Sequence, residues 1–289
     1  MVSPIPRPLM DPARHPIPDI LSRIVADKRE EIARLKGGHL LERLEDQGEI
    51  PPALDFPAAL KAPRPRGSQG VEGPVHIIAE LKPRSPSKGA FDWHGDPLRQ
   101  AADYQRGGAR AVSVLTDTAY FGGSTDLLQQ VKGHISLPVL QKEFVVDPWQ
   151  VHYARRLGAD ALLLIAAVLE GGLLAECVAL AHQIGLHTLV EVVSEAELAR
   201  ALAAGARVVG VNNRDLRTFA IDPERSLRLL PLAGEDTVFI TESGIRHRAD
   251  VERMVAAGVD GFLIGETLMT STDPAATLAR LRGAQTAAP

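Results

Sequence analysis

Beyond residue 75 the hydrophobic positions fall in short uniform blocks, each entered through a glycine. "GGARAVSVL" (107–115), "LGADALLLI" (157–165), "AGARVVGVN" (204–212) and "AGVDGFLIG" (257–265) share one order: glycine, polar step, β-branched or aliphatic run. The glycine supplies the positive φ of a helix C-terminus. The runs are too short for helices and too uniformly apolar for half-exposed strands, so they read as parallel strands covered on both faces. The pattern predicts β1 at 75–82, β2 at 110–116, β3 at 137–142, β4 at 160–165, β5 at 187–193, β6 at 207–212, β7 at 237–241 and β8 at 260–264, with helical stretches between them. That is the count of a closed (β/α)8 TIM barrel of the α/β class. An open doubly wound sheet is the alternative. It normally has fewer strands, and no Gly-x-Gly-x-x-Gly follows β1.

Upstream the period changes. In "DILSRIVADKREEIARLKGG" Ile20, Ile24 and Ile32 recur in steps of four or eight, with Leu21, Val25 and Leu35 beside them. This predicts an amphipathic helix capped by Asp19 and followed by Gly37. Weaker helical pieces continue to about Lys61, and "APRPRGSQGVEGP" reads as a linker. The chain thus divides into a disordered Pro-rich tail (1–18), an N-terminal helical extension with its linker (19–74), the barrel (75–283) and a second disordered tail (284–289). No fused second enzyme is expected after the closing helix.

Composition narrows the partners. The 289 residues carry a formal net charge of −4, which gives no basic footprint for nucleic acid. No run reaches the ~20 apolar residues of a membrane span. The single cysteine, Cys177, forbids an intrachain disulfide and suits a reducing cytoplasm. It lies in "LLAECVALAH" and reads as a core thiol. The histidines show no metal-ligand spacing, and neither His-Glu-x-x-His nor Gly-x-Ser-x-Gly occurs, so no metal is expected.

Candidate chemistry appears where polar residues end apolar strands, the rim on which this fold places its active sites. β1 ends in Glu80 and Lys82, β3 in Lys142, β5 in Glu191, β6 in Asn212 and Arg214, β7 in Glu242 and Ser243, β8 in Gly265 and Glu266. Unpaired buried charges are costly, so these residues either share one polar cup or point outward into water. "ESG" and "IGE" put Gly244 and Gly265 where backbone N–H groups can meet a phosphate, with "ETLMT" as a short helix behind them. The plainer reading makes them tight turns. The long loop after β1, "PRSPSKGAFDWHGD", has the make-up of a lid. Phe121 and Phe144 suit either a wall for a flat apolar group or ordinary packing.

These strings carry a resemblance. "IIAELKPRSPSKG", "AVSVLTDTAYFGGS", "LPVLQKEFVVDPWQV", "LVEVVSEAEL", "VGVNNRDL", "ITESGI" and "GFLIGETLM" resemble the indole-3-glycerol-phosphate synthase family, in order from about Ile20 to Leu281. The resemblance implies a cytoplasmic lyase of tryptophan biosynthesis that uses neither cofactor nor metal. Its substrate is a small phosphosugar–anthranilate conjugate, 1-(2-carboxyphenylamino)-1-deoxyribulose 5-phosphate, which loses CO2 and water. It also implies roles. Lys142 is the general acid, Glu191 the acid/base of dehydration, and Lys82 a helper near the phosphate. Glu80 and Glu242 shape the charge of the cup, while Asn212 and Arg214 position substrate and carboxylates. Ser85 lies near substrate, Phe121, Phe144 and Leu163 wall the ring, and Ser243, Gly244, Gly265 and Glu266 seat the phosphate.

Two positions depart from the family pattern: Asn213 stands where serine is common, and Glu266 where a small residue is. Glu266 would bring a negative charge toward a phosphate. At a centre of this kind a lysine crowded by cations or partly desolvated can have a lowered pKa. The same strand ends leave room for a Schiff-base aldolase using Lys142, an aminosugar isomerase, or a non-catalytic small-molecule module.

Overall fold

The structure, a computed structural model, describes residues 20–45, 48–61, 75–86, 88–91, 96–215 and 220–283. Both expected tails, Asp19, the whole of the linker and part of the loop after β1 lie outside the described residues.

The glycine-led blocks form a closed parallel barrel. Its strands are β1 (His76–Leu81), β2 (Ala111–Leu115), β3 (Val139–Lys142), β4 (Ala161–Ile165), β5 (His187–Val192), β6 (Val208–Asn212), β7 (Val238–Glu242) and β8 (Gly261–Ile264). Each pairs with its sequence neighbours, and β8 closes on β1. Four glycines of the repeat, Gly108, Gly158, Gly205 and Gly258, take φ of 86°, 84°, 81° and 107°, the left-handed turn the repeat predicts. β3 starts two residues late because Pro138 has no N–H to give the ladder, though its carbonyl still accepts from Val112 N at 2.9 Å. β7 is shifted one residue past its predicted span and ends at Glu242, which lies in register opposite Asn212. Register also sets Leu115 beside Lys142 and Ile165 beside Glu191, so the charged strand ends stand at one level.

Two apolar layers hold this frame. Outward-facing Ile77, Val112, Val190 and Phe239 meet the surrounding helices, and inward-facing Ile78, Leu140, Leu189 and Ile240 fill the barrel. The N-terminal extension runs from one pole to the other. The helix Phe56–Leu60 closes the base, where Phe56 and Leu60 join the inner layer and His76 bonds Leu60 O at 2.8 Å. Along the side, Arg156 reaches Gly48 O at 3.2 Å. At the catalytic-type rim lies α1 (Ile20–Gly37), whose buried Ile24 joins the inner layer with Phe144 and Leu163. Among the described residues no helix is long and apolar enough to cross a membrane.

Candidate active site

Every residue named above at the strand ends lines one cavity of about 170 Å³ at the C-terminal rim. At its floor Lys142 reaches Glu242 Oε2 at 2.7 Å and Glu191 Oε2 at 3.1 Å. Lys82 reaches Glu80 Oε1 at 2.7 Å and sits 5.8 Å from the centre of the Phe91 ring. The alternative of charges turned outward into water is thereby excluded. Two glycines make the room. A Cβ on Gly210 of β6 would stand 2.2 Å from Glu242 Oε1, and one on Gly265 would stand 2.4 Å from Glu80 Oε1. Any larger residue at either point would push a carboxylate out of the cup.

The electrostatics run opposite to a lowered lysine pKa. Burial alone would depress the Lys142 ammonium, but Glu242, Glu191 and Glu80 outweigh it and hold its pKa above the ordinary lysine value. The floor sets three glutamates, Glu80, Glu191 and Glu242, against two lysines, Lys82 and Lys142. Burial, with Glu191 and Glu80 nearby, pushes Glu242 up to about 7 although Lys142 pulls the other way. Glu242 Oε1 has no hydrogen-bond partner among the described residues. The floor is thus a charged lysine beside a carboxyl that changes state near neutrality.

One wall is apolar. The Phe121 and Phe144 rings stand 5.8 Å apart, tilted by 35°, with Leu163 and Ile165 beneath. α1 completes this wall with Ile20, Leu21 and Ile24. The amphipathic pattern predicts that helix but not that its stripe faces the cavity. Leu115, Glu143, Ile221, Ile245, Arg246 and Thr267 also line the cavity without being singled out by sequence.

The opposite wall suits an anion. After β7, Ser243 and Gly244 take φ of 65° and 87°, turning the chain sharply over the cavity. Ser243 Oγ donates to Asn212 Oδ1 at 2.9 Å, and Arg214 N donates to the same oxygen at 3.0 Å. Asn213 is fully buried; its amide bonds Thr241 Oγ1 and Ser243 O and accepts from Ser226. It braces the turn rather than facing the cavity. Glu266 opens the predicted short helix Glu266–Met269 and pairs with Arg214 at 3.2 Å and Lys88 at 3.4 Å. Its charge is therefore met by two cations. Among the described residues no group of three or more His, Cys, Asp and Glu is placed to hold a metal.

Known proteins resemble the chain in sequence and in fold. The sequence profile of the family described as Indole-3-glycerol phosphate synthase matches residues 21–281. A relative from Chlorobium chlorochromatii (strain CaD3), named indole-3-glycerol phosphate synthase, is 45% identical over 254 residues, 88% of this chain and 96% of its own. Two solved structures share the fold at low identity. A 3-hexulose-6-phosphate synthase from Salmonella typhimurium matches with a TM-score of 0.59 at 14% identity, over 72% of this chain and 97% of its own. A thiamine phosphate pyrophosphorylase from Pyrococcus furiosus matches with a TM-score of 0.54 at 16% identity, over 72% of this chain and 94% of its own. A family match across the barrel and α1, with a near-full-length relative, identifies the chain as a member of the indole-3-glycerol phosphate synthase family.

Proposed function

We propose that this cup performs the family's carboxy-lyase reaction, closing the pyrrole ring of 1-(2-carboxyphenylamino)-1-deoxyribulose 5-phosphate to give indole-3-glycerol phosphate, CO2 and water. The observation that carries the residue assignment is the Lys142 ammonium, held charged by Glu242 and Glu191 at the foot of the Phe121–Phe144 wall. The phosphate rests on backbone N–H groups around Ser243, Gly244, Gly265 and Glu266. The aromatic ring lies against Phe121, Phe144 and Leu163, with Ser85 at the entrance.

As the ring carbon bearing the carboxylate attacks the ketone, charge builds on the ketone oxygen. Lys142 donates a proton there, leaving a hydroxyl. Loss of CO2 restores the aromatic ring. Dehydration then needs a separate base and acid. Glu191 takes the proton, and Lys82, positioned by Glu80, assists in protonating the departing hydroxyl. Asn212 and Arg214 hold the β6 and β7 ends in place. A lysine kept protonated suits the acid of the first step, and each such transfer contributes roughly 10²–10⁴-fold.

The rivals fit less well. A Schiff-base aldolase needs Lys142 as a neutral amine, whereas its carboxylates favour the ammonium. An isomerase using a thiol has only Cys177, buried in the helix Leu173–Gln183 with burial pushing its thiol up to about 12. The reaction and the buried thiol both support a cytoplasmic setting. The test is direct. The protein is mixed with the anilino-ribulose phosphate in the presence of a metal chelator and without nucleotide, and indole absorbance is followed. Its appearance supports the reading, and its absence with folded protein overturns it.

A further inference from the structure

A second buried lysine sits outside the cup. Lys28, on α1, is 2% exposed and contacts Glu31 at 2.8 Å, Asp117 at 3.1 Å and Glu143 at 3.1 Å. Asp117 and Glu143 lie on different loops. Asp117 follows β2 and caps the helix Thr118–Phe121, its Oδ1 accepting from Tyr120 N at 2.7 Å and Phe121 N at 3.2 Å. Glu143 follows β3, directly between Lys142 and Phe144. It accepts from Phe144 N at 2.8 Å and from Thr116 Oγ1 at 2.8 Å. One ammonium therefore ties together the two loops that carry the two rings of the apolar wall.

We propose that Lys28 is a positioning residue for ring closure: from the N-terminal extension it locks Asp117 and Glu143, and so sets the separation of Phe121 and Phe144 and the aim of Lys142. This rests on the reading of the cup as the ring-closing site. Helix α1 also meets these loops through apolar contacts, a Tyr120–Asp27 hydrogen bond and a Lys36–Asp147 pair at 2.8 Å. Lys28 is the α1 side chain that reaches Glu143 itself. Burial would lower the Lys28 pKa, but Glu143, Glu31 and Asp117 hold it above the ordinary value, so the tie is a charged one at working pH. A misplacement of about 1 Å in a reacting group can remove about 10²-fold in rate, and that is the scale at stake here.

The test compares Lys28→Met, Lys28→Arg and the charge-balanced pair Lys28→Met/Glu143→Gln. Three readings are taken: kcat and KM, the affinity for substrate whose ketone has been reduced to an alcohol, and the affinity for inorganic phosphate. In Lys28→Met, kcat falls about 10²-fold and the reduced substrate binds about tenfold more weakly, while inorganic phosphate binds as before. Lys28→Arg restores most of the rate. The double variant regains thermal stability without regaining rate, which separates positioning from mere support of the fold. Where Lys28→Met does not fold, the double variant carries the same readings. A folded double variant turning over within twofold of the parent overturns the proposal. So does a loss of phosphate binding in step with the ring-bearing ligand. A Lys142→Ala variant that keeps its rate would instead refute the reading of the cup itself.

Discussion

Lys28 and Lys142 are both buried among carboxylates, yet the two clusters differ in what is left open. Around Lys28 the acceptors are occupied: Asp117 holds two backbone N–H groups, and Glu143 holds one N–H and a hydroxyl. Around Lys142 the carboxylates hold mainly the lysine, and Glu242 Oε1, packed against Gly210, has no hydrogen-bond partner among the described residues. A cluster whose carboxylate oxygens are all engaged fixes geometry. A cluster with an unfilled acceptor and a carboxyl near pH 7 can exchange protons. The two differ in connections rather than in residue type, which is why we assign one to support and the other to chemistry.

Substitutions can break this comparison. The largest expected effect is on rate. Lys142→Ala lowers kcat by about 10³-fold and leaves inorganic phosphate affinity unchanged, measured by single-turnover indole formation and calorimetry. Lys28→Met, by contrast, acts on stability as well. It leaves Asp117 and Glu143 buried without their cation and costs about 3 kcal/mol in urea unfolding. A third buried charge sharpens the contrast. At the opposite pole Asp160 accepts from Lys132 at 2.6 and 2.8 Å, and from Val139 N and Leu54 N at 2.8 Å each. Asp160→Asn costs about 2 kcal/mol with kcat unchanged, since the base of the barrel does no chemistry. The smallest effect falls at Glu266. Because its pairs with Arg214 and Lys88 are partly exposed, they are weak. Glu266→Gln removes a negative charge beside the proposed phosphate seat and lowers KM by about twofold.

Much of this could be read from the residues. Short apolar runs between glycine-closed helices gave away the strands because period and length suffice for that. Their ends shifted where a ladder begins or stops for local reasons, as at Pro138. Lys82, Lys142, Glu191 and Glu242 were legible because a charge ending an apolar strand has few places to go. The burial of Lys28 was not. In "RIVADKREEI" it looks like one more solvated charge on a helix, and only the docking of α1 onto the β2 and β3 loops buries it. The direction of the Lys142 shift was hidden for the same reason. It depends on which charges the register brings beside it, and these are carboxylates rather than cations.

The claim that the open cluster is the reactive one is tested most directly by the pH dependence of kcat/KM. The substrate brings a carboxylate and a phosphate into a cup already rich in carboxylates, so it is received best while Glu242 is protonated. With Glu242 pushed up to about 7, kcat/KM falls as pH rises through that value. In Glu242→Gln, a permanently neutral mimic, the low-pH plateau extends to about pH 8. A profile that is flat across neutrality in the parent, or one whose fall near pH 7 persists in Glu242→Gln, would contradict the account.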